Sequence, residues 1–406
     1  MSEINSPAIR FAGFTDAWEQ REFAELVSRV STMSDRKYDM PRVEYEDIIS
    51  GQGQLNKNIY EKQSNKRGIH FEPGDILFGK LRPYLQNWLA PDFTGIAVGD
   101  WWVLKPQGVN TEFICALLQS PQYQRVSNLS TGTKMPRSDW SVVARTTFAV
   151  PSQICEQAQI GKTFTNIDRL ITLHQREHDK TVNIKKALLE KMFPKDGEDK
   201  PEIRFAGFTG AWEQRRVGEF YFFKNGLNKS KEYFGKGTPI INFTDVFHNR
   251  GLKAKQLQGK VLLDDNEIKN FEVRQGDIFF TRTSETIDEI GYPSVMLDTP
   301  ESTVFSGFVL RGRAIEDDPM TNIFKRYVFF TQTFRSEMIK KSSMTTRALT
   351  SGTAIKEMCF NFPVSKKEQE QIGLFFANFD RLIALHQREL TKFQNIKKAL
   401  LEKMFV

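Results

Sequence analysis

FTNIDRLITLHQREHDKTVNIKKALLEKMF, from Phe164 to Phe193, returns as FANFDRLIALHQRELTKFQNIKKALLEKMF, from Phe376 to Phe405, with 23 of 30 positions identical. In the second copy the apolar positions run Ile372, Phe376, Phe379, Ile383, His386, Leu390, Phe393, then Ile396, Leu400 and Met404, mostly in alternating steps of four and three. The first copy keeps that order through Ile160, Phe164, Ile167, Ile171, His174, His178 and Thr181, then Ile184, Leu188 and Met192. This is one amphipathic helix written twice, with a stripe that seeks a partner helix. Both copies slip by a three-residue step at the same place, which predicts a shared local overwinding. About 40 residues at ~1.5 Å each give a rod about 60 Å long, enough to hold two domains apart.

A second duplication sets the arrangement. PAIRFAGFTDAWEQR, from Pro7 to Arg21, returns as PEIRFAGFTGAWEQR, from Pro201 to Arg215, with 13 of 15 identical. The order is short repeat, variable region, long helix, then the same again. The offsets are 201 − 7 = 194 and 376 − 164 = 212, so the second variable region is 18 residues longer (212 − 194). Such internal pseudo-symmetry offers two similar surfaces to a repeated partner and two different surfaces to something asymmetric.

The chain of 406 residues is long enough for two or three domains with cores of their own, and its 39% hydrophobic and 26% charged composition is that of a globular protein. A net charge of +7 leans toward a polyanionic partner. The start, MSEINSPAIRF, reads as no secretory signal, and no apolar run approaches the ~20 residues of a membrane span. Cys115, Cys155 and Cys359 have no paired spacing, which suits a reducing cytoplasm and disfavours a cysteine zinc site.

Within the first variable region GDILFGKL from Gly74 and GIAVGDWWVLKP from Gly95 read as strands, TEFICALLQSPQYQRV from Thr111 as a helix, and RTTFAVP as a last strand after the loop STGTKMPRSDW. The second region repeats the skeleton with GDIFFTRTSE from Gly276, STVFSGFVLRG from Ser302, the helix TNIFKRYVFFTQTFRSEMI from Thr321, the loop TSGTAIKEM and the strand CFNFPVS. The fold class is α+β, each region a mainly antiparallel sheet with a few helices. Residues 1–150 and 201–362 are expected as globular domains, 151–193 and 363–406 as long helices, and 194–200 as a polar linker. Ser365 stands three residues before Glu368, which predicts a capping box on the second helix, whereas Ser152 and Cys155 offer none on the first.

Motifs of enzymes are present only in fragments. His174 and His178 with Glu177 match H-x-x-E-H of zinc peptidases, but both histidines lie on the apolar stripe and the second copy puts Leu390 where the second ligand would be. Gly161-Lys162-Thr163 lacks the glycine a phosphate-binding loop needs, Glu156 standing there, and Gly51-Gln-Gly53 is followed by Asn56 instead of a third glycine. Asp196, Glu198 and Lys200 form a solvated charge run in the linker, and no Pro-Pro pair exists to build an adenine-methylation motif. What recurs is basic and hydroxyl residues on matching loops: Lys80, Arg82, Lys134 and Arg137 in the first region, Arg282, Thr283, Ser284, Arg347, Thr350 and Ser351 in the second. Arginine can bond guanine bidentately, and lysine, serine and threonine serve phosphates or base edges.

Together the PxIRFxGFTxxWEQR segments, GDILFGKLRPYL, GDIFFTRTSE, the SGT loop and the duplicated helices resemble the specificity subunit (HsdS, S protein) of type I restriction-modification enzymes, over essentially the whole chain. The resemblance implies two target recognition domains, each reading one half of a bipartite, asymmetric DNA target, on two helices that form an antiparallel coiled coil and set the spacer. It implies partners: two methylation subunits, which hold S-adenosylmethionine and methylate adenine N6, and two restriction subunits, which use ATP and Mg. It implies a non-catalytic cytoplasmic chain that binds none of these cofactors. Partner contacts are expected on Phe11, Phe14 and Trp18, on Phe205, Phe208 and Trp212, and on outward helix positions. A metallopeptidase on His174 and His178 and a protein-binding coiled-coil scaffold are the alternatives.

Overall fold

The computed structural model describes residues 7–34, 40–61, 66–129 and 135–405. Two compact units share it: Met1–Glu177 with Leu385–Val406, and His178–Ala384. Each division falls inside a long helix, α1 (Ile154–Lys191) or α2 (Lys366–Met404).

In unit 1 most strands form two four-stranded sheets. One runs in the order 33–34, 68–71, 95–98, 42–44 and the other 27–30, 101–106, 76–79, 88–89. All pairings within them are antiparallel except 95–98 with 42–44. The run WWVL, Trp101 to Leu104, is apolar without alternation because both its faces are buried. Trp101 and Val103 pack between strands with Val43, Phe71 and Leu77. Trp102 and Leu104 turn to the other side, against Phe113, Phe148, Ile160 and Phe164.

Unit 2 repeats the plan with a five-stranded sheet (221–225, 309–314, 278–281, 293–296, 251–252) and a three-stranded one (260–261, 234–241, 304–305). Here Ile278, Phe280 and Leu310 face the helical side. Phe279 and Val309 face the opposite one.

Both predicted domain helices are broken in two. Thr111–Gln119 ends at Ser120, whose Oγ accepts the Tyr123 N–H at 3.3 Å and starts Pro121–Ser127. Asn322–Val328 likewise gives way to Gln332–Lys341, capped by Thr331. Proline in the first turn and a hydroxyl cap favour a new helix over a continued one.

Within each unit the long helices run antiparallel. In unit 1 Phe164 meets Phe405, Asp168 meets Lys397, and His174 stacks on Phe393. In unit 2 Lys185 meets Asp380 and Phe193 meets Phe376. The expected overwinding is absent. The seam positions 160, 164, 167, 171, 174, 178, 181, 185, 188 and 192, and in α2 372, 376, 379, 383, 386, 390, 393, 397, 400 and 404, are all buried or half-buried and alternate four and three throughout. Lys185 and Lys397 hold the seam where the isoleucines were expected, and Ile184 and Ile396 are 41% and 38% exposed. A lysine stem can lie along an apolar seam when a carboxylate on the facing helix takes its ammonium.

Candidate nucleic-acid interface

Each unit brings together the loops singled out in the sequence. In unit 1 the Ser138 N–H donates to the Lys80 carbonyl at 2.8 Å, the Arg82 N–H donates to the Pro136 carbonyl at 2.7 Å, and Leu81 bridges Arg137. In unit 2 the Thr350 N–H donates to the Arg282 carbonyl at 3.1 Å, and strand 283–284 pairs with 348–349. The loop after one sheet strand is thus laced to the segment before the short helix Trp140–Arg145 or Gly352–Lys356.

Lys80, Arg82 and Arg137 share one surface of unit 1. Lys80 Nζ stands 3.6 Å and Arg137 Nη2 3.1 Å from Asp100, an acid that sequence reasoning missed. Arg82 is exposed and has a left-handed backbone (φ 48°), a strained conformation of the kind held at functional loops. Beneath it the Tyr45 hydroxyl donates to the Leu81 carbonyl, and burial pushes the Tyr45 phenol up to about 12. Lys134 lies outside the described residues.

In unit 2 Arg282 and Thr283 are half-buried and Arg347 is exposed, paired with Glu285 at 3.0 Å. Ser284 and Thr350 are corrected: each is only 6% exposed. Ser284 Oγ accepts the Thr286 N–H at 3.3 Å, and the Thr350 hydroxyl points at Met338 sulfur at 3.5 Å, so both hydroxyls are turned into the unit and away from the loop surface. Ser351 is exposed but caps the short helix by accepting the Ala354 N–H.

Trp18 and Trp212 are also corrected, both being 4% exposed and therefore packed inside their units. Each indole N–H points at a buried glutamate. Glu156 takes Arg10 at 2.7 and 2.8 Å and Trp18 at 3.3 Å. Its counterpart Glu368 takes Arg204 at the same 2.7 and 2.8 Å and Trp212 at 3.4 Å. The Glu156 carboxylate holds the Arg10 guanidinium above its ordinary range. Ser365 accepts the Glu368 N–H at 3.4 Å, yet the Glu368 carboxylate goes to Arg204, so the expected capping box is half made. Two arginines at matching places in the near-identical short repeats and two acids at the helix-repeat offset (368 − 156 = 212) were the signal in the sequence. Phe11 and Phe205 are half-buried against their cores, Phe205 edge-on to Phe375, and Phe14 and Phe208 are half-buried.

His174 Nδ1 lies 3.3 Å from His386 Nδ1, while His178 Nδ1 lies 3.0 Å from Asp179. Among the described residues no group of three or more His, Cys, Asp or Glu is placed to hold a metal. Gly161 lies inside α1 against the backbone of Glu112 and Phe113, not in a phosphate loop. No helix among the described residues is long and apolar enough to cross a membrane.

No protein-family model matches the chain. Its architecture is a duplicated α+β unit in which each copy packs on segments of two antiparallel long helices, a fold shared with solved S subunits of type I restriction-modification systems. The chain is similar in fold to the S subunit of a type I system from M. genitalium, at 14% identity over 99% of each chain with a TM-score of 0.63. It is also similar to a chain of the type I system solved in work on complex assembly and conformational transition, at 17% identity over 95% of this chain and 96% of that one, TM-score 0.52.

Proposed function

We propose that this chain is the specificity subunit of a type I restriction-modification complex. Each unit reads one half of a bipartite, asymmetric DNA target, the helices set the spacer, and adenine N6 methylation and restriction are performed by partner subunits. What supports the reading is that two matching helix joints carry two unlike loop surfaces, Lys80, Arg82 and Arg137 on one, Arg282, Thr283 and Arg347 on the other. Matching joints suit two copies of one methylation subunit, with Phe11, Phe14, Phe205, Phe208 and outward helix positions at the contact. The chain is non-catalytic and works in the cytoplasm. S-adenosylmethionine belongs to the two methylation subunits, and ATP with Mg to two restriction subunits.

Methylome sequencing of a host expressing the chain with its methylation subunit tests this. The expected result is N6-methyladenine at a two-part motif with a fixed gap. An assembled complex that leaves no methylation refutes the reading and favours a protein-binding scaffold. One matched heptad added to both helices is expected to lengthen the gap by about three base pairs, from ~10 Å of added helix.

A further inference from the structure

The two helix joints are alike in backbone but not in charge. The domain helices that pack there start at equivalent caps, Asn110 and Thr321, whose N–H groups both donate to a glutamine of the long helix, Gln157 and Gln369. The offset is 321 − 110 = 211, so Cys115 and Ala116 of unit 1 correspond to Arg326 and Tyr327 of unit 2. In unit 1, Cys115 and Ala116 line an open cleft of about 530 Å³ with Asp168. In unit 2 that place is occupied by a cluster of cations.

Three cations stand around one phenol ring. Lys185 Nζ is 5.7 Å, Arg250 Cζ 5.6 Å and Arg326 Cζ 5.4 Å from the Tyr327 ring centroid. Asp380 answers them with one carboxylate, receiving Lys185 on Oδ1 and the Tyr327 hydroxyl on Oδ2 at 2.6 Å, with Arg326 Nη2 at 3.5 Å. Three positive charges less one leave +2 at a half-buried site. Two donors there, Arg250 Nη1 and Arg326 Nε, are buried and meet no acceptor. A buried guanidinium N–H left unmade is costly, and such clusters persist where an anion completes them. Burial lowers Lys185 and Arg250 from their ordinary ranges, and the neighbouring cations lower them further. The plane of Arg250 is fixed by stacking on Phe330 at 3.7 Å, so its donors are oriented in advance.

We propose that Lys185, Arg250 and Arg326 form a binding site for a phosphate-class oxyanion, present in unit 2 and missing from unit 1. Fixed guanidinium donors suit a tetrahedral oxyanion, and a surplus of two positive charges suits a dianion. The site stands on these side chains alone and does not depend on the DNA-reading role. Two sources carry the same chemistry: a nucleic-acid backbone phosphate and a free phosphate-bearing molecule.

The test is titration of the full chain with inorganic phosphate against chloride at matched ionic strength, followed by phosphorus NMR line broadening and thermal unfolding. Saturable broadening and stabilisation by phosphate are expected. They should weaken roughly tenfold or more in Arg250→Gln and Arg326→Gln, less in Arg250→Lys, and not at all in Arg216→Gln, an exposed arginine of the same unit. Phosphate acting no better than chloride on the unaltered protein overturns the proposal, with no variant needed. Undiminished phosphate binding by folded Arg250→Gln overturns it as well. Displacement of phosphate by a short duplex of arbitrary sequence identifies the backbone as the source. Binding indifferent to the duplex assigns the site to a free molecule.

Discussion

Arg204→Met isolates the joint that seats the short repeat on α2. Glu368 is 1% exposed, and its charge is answered by the two Arg204 bonds of 2.7 and 2.8 Å with the Trp212 N–H at 3.4 Å. Methionine leaves the carboxylate buried without a cation, which costs about 3–5 kcal/mol for a pair broken on one side. Arg204 is 14% exposed by side chain, so solvent moderates the loss toward the lower figure. Unit 2 spans 384 − 178 + 1 = 207 residues. For that size ~1 kcal/mol moves the melting temperature by roughly 2–4 °C, so a fall of about 6–12 °C is expected. Calorimetry on the full chain reads the shift, and hydrogen exchange of the 201–216 amides reads where the loosening occurs. Arg204→Met combined with Glu368→Leu should recover most of the loss, because an apolar pair has no buried charge to satisfy. A single variant that melts within about 1 °C of the wild type, or a double variant as unstable as the single, refutes the claim that this ion pair holds the segment.

Further expectations follow from the packing and charges. A Cβ on Gly161 would lie 2.5 Å from the Phe113 nitrogen and 2.6 Å from the Glu112 carbonyl carbon, so Gly161→Ala should destabilise by about 1–3 kcal/mol in urea unfolding, despite the ~1 kcal/mol alanine gains in a helix. Gly210→Ala, with open space around it and no positive φ, should be neutral or slightly stabilising in the same assay. Burial raises the Asp168 carboxyl above its ordinary value and Lys397 opposes the rise. A raised acid stabilises the fold below its unfolded range, about pH 3.9, and that contribution is lost as pH rises through the folded value. Lys397→Met should therefore raise the value further and make urea midpoints fall more steeply between acid and neutral pH, and adding Asp168→Asn should flatten the curve. Arg137→Ala and Arg347→Ala should each relax recognition of one half-site by about 1–3 kcal/mol in binding assays across target variants. Uniform weakening of both half-sites with a reduced salt slope would mean phosphate contact instead.

Much of the fold was legible because it is repeated. The helix period, the strands around Ile76–Gly79 and Ile278–Thr281, and the matching loops all appear twice, and a pattern that recurs in the same order is hard to mistake. Within the candidate interface, Lys80, Arg82 and Arg137 were found as basic loop residues, but Asp100 was not, since it stands 37 residues from Arg137 and only the lacing of the loops brings it near. Ser284 and Thr350 were misread because hydroxyls on a polar loop look alike in sequence whether they turn out or in.

The sequence alone determined that two similar α+β regions alternate with two long helices, because periodicity records the contacts a residue makes within a few turns of its own chain. Tertiary structure alone decided which residues hold the helix seam. Spacing favoured Ile184 and Ile396, but the facing carboxylates Asp380 and Asp168 draw Lys185 and Lys397 inward and keep the steps of four and three unbroken. It also decided that Arg10 meets Glu156 across 146 residues and that Lys185, Arg250 and Arg326 gather around Tyr327. Those pairings follow from how folded surfaces dock, where distance along the chain carries no weight and the partner's charge and shape decide.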